Sequence, residues 1–236
     1  MLSELRKDLR HIADKKKAVV LRRFFKTGKG QYGEGDIFLG VTVPKQRALV
    51  RKYWRDVSLK DLDKLITSKV HEERLIALFI LVKQYEHAGA GLRSKIFRFY
   101  LKHAKHINNW DLVDMSAPNI VGAYIFEYRD GGTTILNKLA RSSELWERRI
   151  SILATFYFIR KGHPDHTLKL AKILLADKHD LIHKAVGWML REAGKRCGEK
   201  TLTAFLDAHY KKMPRTMLRY AVERLPERKR RHYLDS

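Results

Sequence analysis

Glu73-Arg74-Leu75-Ile76-Ala77-Leu78 and Arg148-Arg149-Ile150-Ser151-Ile152-Leu153 read as two copies of one phrase, a charged pair followed by an apolar helical run. Working outward, Arg74, Trp110, Arg149 and Lys184 occupy similar places in successive amphipathic segments, at spacings of 36, 39 and 35 residues. A helix–turn–helix unit repeating at that period is the signature of an α-solenoid, whose stacked helix pairs curve and present a long concave surface. Ordinary helical bundles give similar echoes, so the repeat is read together with the rest of the chain.

Helical spacing dominates elsewhere. Leu75, Leu78, Phe79 and Val82 form an i, i+3, i+4, i+7 stripe, as do Ile182, Ala185, Val186 and Met189. Sustained two-residue alternation is absent, so no substantial sheet is expected. Helices are expected near 3–26, 44–56, 58–67, 70–87, 90–106, 109–128, 133–140, 144–161, 165–176, 179–195, 199–211 and 214–224. Pro44 and Pro214 suit first helical turns, and Ser58 with Asp61 approximates a capping box. The expectation is one continuous all-α domain over residues 1–236, ending in a basic tail from about 226 that holds Arg228, Lys229, Arg230 and Arg231.

The chain has 236 residues, with 49 Lys plus Arg against 26 Asp plus Glu, a formal charge of +23. Hydrophobic residues at 44% exclude wholesale disorder. One cysteine, Cys197, excludes an internal disulfide and any cysteine-based zinc or iron–sulfur site. The N-terminus lacks an apolar signal core and no stretch reaches the ~20 apolar residues of a membrane span. A soluble, cytoplasmic protein is expected, nucleoid-associated if prokaryotic. A surface this basic repels itself unless it meets an anion, and nucleic acid is the leading partner, since phosphate contacts release counterions. An anionic membrane surface is the next candidate.

Two motif matches lead nowhere. Gly28-Lys29-Gly30-Gln31-Tyr32-Gly33 fits G-x-G-x-x-G, but a helical stretch precedes it and acidic Glu34 and Asp36 follow, so a flexible inter-helix loop is expected instead of a dinucleotide site. His179-Asp180-Leu181-Ile182-His183 places two histidines at i, i+4 without an obvious third ligand; with His163/His166 and His103/His106 it is read as solvated or DNA-facing, and no metal or cofactor is expected.

Three helical faces carry more. Trp110 and Asp114 are i, i+4 neighbours. They suit a cleft that offers a π-face and a negative charge to a cation or sugar, or else a partly buried Trp with an exposed Asp. Trp146 and Arg149 share a face; Arg149 suits a bidentate phosphate contact, or a surface salt bridge. Lys184, Trp188, Arg191 and Lys195 line one stripe, suited to phosphate and stacking contacts or simply to a solvated face. Arg47 and Arg148 are added to the expected DNA-binding set.

Phe24-Phe25-Lys26-Thr27-Gly28-Lys29-Gly30-Gln31-Tyr32-Gly33-Glu34-Gly35-Asp36, then Phe38-Leu39-Gly40-Val41 and Pro44, resembles the AlkD-type DNA alkylation repair family. So do Asn109 to Asp114, Leu145 to Arg149, and Ile182 to Glu192. The matches run in order from about residue 20 to 195. The resemblance implies a HEAT-like α-solenoid of stacked antiparallel helix pairs with a concave basic channel. It implies a monofunctional, metal-free DNA glycosylase that excises cationic bases such as 3-methyladenine and 7-methylguanine from duplex DNA without flipping the lesion into a pocket. The family's aromatic–Asp–Arg set falls on Trp110, Asp114 and Arg149, and its further lesion-side tryptophan on Trp188. Phe24 stands where some members have Tyr, keeping a ring and losing a hydroxyl.

The chemistry such a reaction asks for is modest. A purine alkylated at N3 or N7 is cationic and leaves as a neutral molecule, so its departure needs no proton. The positive charge developing on the sugar is what must be stabilised, by electrostatics and aromatic faces. Asp114 suits that charge and the orientation or deprotonation of water, Trp110 and Trp188 suit the deoxyribose, and Arg149 a neighbouring phosphate. Double-stranded DNA carrying alkylated bases is then the partner, with no membrane and no obligate protein partner. The alternatives are a non-catalytic solenoid that binds unusual or branched DNA, and a basic protein-interaction scaffold.

Overall fold

The computed structural model describes residues 1–128 and 132–235. Among them every regular element is helical; the nearest approach to a strand is an isolated bridge between Ile37 and Val70. The expected all-α class is what the chain adopts. Its contacts group it into two compact units, Met1–Ser116 and Ala117–Ser236.

The first unit holds α1 (Leu2–His11), α2 (Lys15–Phe24), α3 (Val43–Tyr53), α4 (Leu59–Ile66), α5 (His71–His87), α6 (Ala90–Lys102) and the start of α7 (Trp110–Ala117). α5 is its axis. Leu75 to Leu81 are buried without a break, because α3, α4 and α6 all pack on this helix. The capping box at Ser58 and Asp61 is complete: the Ser58 hydroxyl accepts from the Asp61 amide, and the Asp61 carboxylate accepts from the Ser58 amide.

The single helix expected over 3–26 is instead two. Asp14 leaves the helical conformation, gives its own amide to the Leu39 carbonyl at 2.9 Å, and accepts the Lys17 amide on its side chain at 3.0 Å. The amide lost to Leu39 breaks the helix, and the carboxylate caps the next one. Gly40 makes this joint possible. It has φ +82°, and a Cβ there would lie 2.1 Å from the Asp14 carbonyl oxygen. The Glu72 carboxylate, 1% exposed, fixes the same turn by accepting the amides of Leu39, Gly40 and Val41.

The second unit continues from α7 through a π-helical turn, Pro118–Gly122, into α8 (Ala123–Tyr128). An unbroken α-helix over 109–128 was the expectation; Pro118 has no N–H to give, and the turn widens around it. Then follow α9 (Gly132–Ala140), α10 (Leu145–Arg160), α11 (Asp165–Ile173), α12 (Asp180–Cys197), α13 (Glu199–His209), α14 (Arg215–Val222) and α15 (Glu227–Leu234). α9 packs on α10 and α11 on α12, α13 folds back on α12, and α10, α12 and α14 stack in order. The predicted stripe Ile182, Ala185, Val186 and Met189 is wholly buried in that stack. Gly187 sets its closeness: a Cβ there would sit 2.4 Å from the Met217 carbonyl oxygen.

The basic segment from 226, for which no helix was expected, is helical over most of its length. It folds as α15 and docks through buried Tyr233, whose hydroxyl donates to Asp207 at 2.7 Å. Lys229 pairs with Glu199, and Arg230 and Arg231 with Glu227, so three of its cations are spent within the fold.

Candidate nucleic-acid interface

In the first unit, three expected site residues lie close together. Trp110 begins α7, its amide donating to the Asn109 side-chain oxygen at 2.8 Å. The indole is half-buried, and the Phe24 ring meets it edge-on, centroids 5.8 Å apart at 74°. Phe24 is 61% exposed, an unusual position for a phenyl ring and one that offers an aromatic face to a ligand. Asp114 stands one turn beyond Trp110, half-buried as well. After burial, its carboxylate is the further influence that pushes the Tyr100 phenol up. Arg47 is exposed on α3 with its guanidinium 4.5 Å from the centre of the Phe79 ring.

Beneath Trp110 lies a column of rings that the sequence did not announce. Phe25 stacks on the indole at 5.2 Å, Phe38 stacks on Phe25 at 5.1 Å, and His71 stacks on Phe38 at 4.5 Å. His71, 2% exposed, lies between two carboxylates: Nδ1 is 3.1 Å from Asp36 Oδ2 and Nε2 is 2.8 Å from Asp111 Oδ2. Arg74 donates to the same Asp36 oxygen at 2.7 Å. Burial pushes the imidazole down, but Asp111 and Asp36 outweigh it and the net shift is up. Asp36 moves the other way, since His71 and Arg74 overcome the cost of its burial. The signal in the sequence was four polar residues, His71 to Arg74, at the head of an apolar helix, where charge survives only if paired.

In the second unit, Arg149 is 5% exposed and its guanidinium donates to the Leu181 carbonyl at 2.5 Å. That burial takes it off the surface, where one of its two readings had put it. Arg148 donates to Asp177 at 2.6 Å and to the carbonyls of Ser142 and Ser143, tying α10 to the turn before α12. The stripe Lys184, Trp188, Arg191 and Lys195 does lie on one side of α12, with Lys195 exposed and the other three half-buried. Lys184 pairs with Asp180 at 2.6 Å, and Arg191 with Glu223 and Glu192. Trp188 lies 5.9 Å from Phe156, over which Arg160 and Arg196 also sit at 5.2 and 5.5 Å. Phe156, Arg160 and Arg196 add rings and cations to this face and had no motif to mark them.

The two rejected motifs have structural work. Within the glycine-rich turn, Gly28 donates to the Gln31 side chain at 2.9 Å and Gly30 to Glu34 at 2.7 Å, so those amides face the loop's own acceptors and not a phosphate. His179 caps α12 by accepting the Leu181 amide at 3.1 Å, and burial pushes its pKa down, as suits an accepting nitrogen. His183 Nε2 lies 2.5 Å from the Asp177 carbonyl. Among the described residues no three His, Cys, Asp or Glu side chains cluster to hold a metal ion, and no helix is long and apolar enough to cross a membrane.

A family model described as DNA alkylation repair enzyme matches residues 5–225. A solved structure, a predicted DNA alkylation repair enzyme from Enterococcus faecalis, is similar in fold with a TM-score of 0.71 over 91% of this chain and 97% of that one, at 15% identity. No curated protein sequence matches.

Proposed function

The chain belongs to the DNA alkylation repair enzyme family, and from that premise we propose that it is a DNA glycosylase acting on cationic alkylated purines, 3-methyladenine and 7-methylguanine, in duplex DNA. DNA is the partner the family implies, and the +23 charge suits it. The observation that carries the reading is the Trp110–Asp114 pair on one turn of α7, with the exposed Phe24 ring against the indole.

The bond broken joins C1′ of the deoxyribose to the base nitrogen. Its electron pair stays with the base, which neutralises the alkyl cation and departs without a proton. Positive charge builds on C1′ and the ring oxygen, where the Asp114 carboxylate opposes it and the Trp110 face attracts it. Water then bonds to C1′ and gives up a proton, with Asp114 as the acceptor. In the second unit, the proposal gives Arg149 a backbone phosphate and Trp188 a sugar face. Lys184, Arg191 and Lys195 contact phosphates without reading sequence.

The experiment is base release from duplex DNA methylated at purines, with uracil- and hypoxanthine-containing duplexes beside it. Release of the cationic bases alone supports the proposal. Efficient release of uracil contradicts a mechanism without leaving-group protonation, and binding without any release leaves a DNA-binding protein of the non-catalytic kind.

A further inference from the structure

We propose that His71 is a positioning residue for this site: an imidazolium clamped between Asp36 and Asp111 that holds Trp110 in place from beneath. The inference rests on the reading of Trp110 and Asp114 as the reacting centre.

Both ring nitrogens face carboxylate oxygens, at 3.1 and 2.8 Å. A carboxylate only accepts, so each nitrogen must carry a hydrogen, and the ring is then a cation. The charges agree. Asp36 and Asp111 bring two negatives, His71 and Arg74 two positives, and the buried group is neutral. A neutral imidazole would turn a ring-nitrogen lone pair on a carboxylate oxygen and leave a net negative charge under the aromatic column, which burial penalises.

The group reaches Trp110 along two routes. Asp111 is the next residue in the chain, and its other carboxylate oxygen accepts the Leu112 amide at 2.9 Å, which ties the clamp to the first turn of α7. The second route is the stack His71, Phe38, Phe25, Trp110, each ring on the next. The imidazole thus holds both the backbone and the ring of Trp110, and Asp114 follows one turn further along the same helix. The charged groups facing His71 are Asp36 from the turn before α3, Arg74 from its own helix and Asp111 from α7. As the pH rises through the His71 titration, Trp110 loses its support and base release slows.

The test follows the full-length protein by NMR and by single-turnover base release across pH 6 to 10. His71 is assigned by comparison with His71→Gln and the Trp110 indole by comparison with Trp110→Phe. Both His71 nitrogens should be protonated at pH 7. The Trp110 indole resonance should shift with the same midpoint as His71, and base release should lose its saturating single-turnover rate, with half-saturation unchanged, along that limb. In Asp111→Asn, which removes one carboxylate, the midpoint should move down by about one unit or more. A singly protonated His71 at pH 7, or an indole resonance indifferent to His71, overturns the inference. The titration needs no turnover and is read on the wild type, where sequential assignment identifies both resonances if the variants fold poorly. A wild type that couples the two resonances yet releases no base would contradict the catalytic reading alone.

Discussion

The Phe25 ring lies parallel to the Trp110 indole, 17° between planes and 5.2 Å between centroids, while its sequence neighbour Phe24 meets the same indole on edge. One phenyl is buried support and the other exposed surface. Phe25→Ala should therefore leave a cavity under the indole and cost about 3–5 kcal/mol of stability in urea unfolding. Phe24→Ala should shift stability by under about 1 kcal/mol and instead weaken duplex binding. Equal stability losses would mean that the two rings share one role.

Asp111 and Asp114 should part company in the same way. Asp111 is buried against His71, and removing one partner of a buried charged pair typically costs about 3–5 kcal/mol. Asp111→Ala should lose stability on that scale, whereas Asp114→Asn should melt close to wild type. Thermal melts of both variants check this.

The first unit should lose stability toward alkali. His71 has its pKa raised by folding, so its contribution is complete below the ordinary imidazole value near 6.5 and fades as pH rises through the folded value. Asp36 is lowered, so its contribution is complete above the ordinary carboxylate value near 3.8 and fades as pH falls through the folded one. Both are fully present between about pH 4 and 6.5. Urea unfolding at pH 6 and pH 9 should show wild type weaker at pH 9, with the difference much reduced in His71→Gln.

Duplex binding should be steeply salt-dependent. With about five to eight phosphates contacted, log K should fall against log salt with a slope of roughly −4 to −7. Lys195→Ala should flatten the slope by about 0.9 and weaken all duplex sequences alike. A slope near zero would mean that the charge is not a DNA footprint.

What the sequence made legible is what local spacing controls. The capping box at Ser58, the buried stripe of α12 and the Trp110–Asp114 face all follow from helical periodicity. What escaped it depends on partners far along the chain. The break at Asp14 needs Leu39 and Gly40, Arg148 is spent on Asp177, and the His71 clamp joins residues 36, 71 and 111. No periodicity announces such pairings. They appear in sequence only as charges placed where a core should be, as in His71 to Arg74. Likewise, no helix was expected beyond residue 224, because Tyr233, which anchors α15, is a single residue.

The central claim rests on the charge of Asp114, and single-turnover base release from methylated duplex DNA by wild type and Asp114→Asn tests it most directly. Asn keeps the shape, removes the charge that faces the developing sugar cation and cannot accept a proton. Release should slow by about 10²–10³, with duplex affinity unchanged or slightly tighter, since a carboxylate near phosphates repels them. Wild-type release rates from a folded Asp114→Asn would contradict the account.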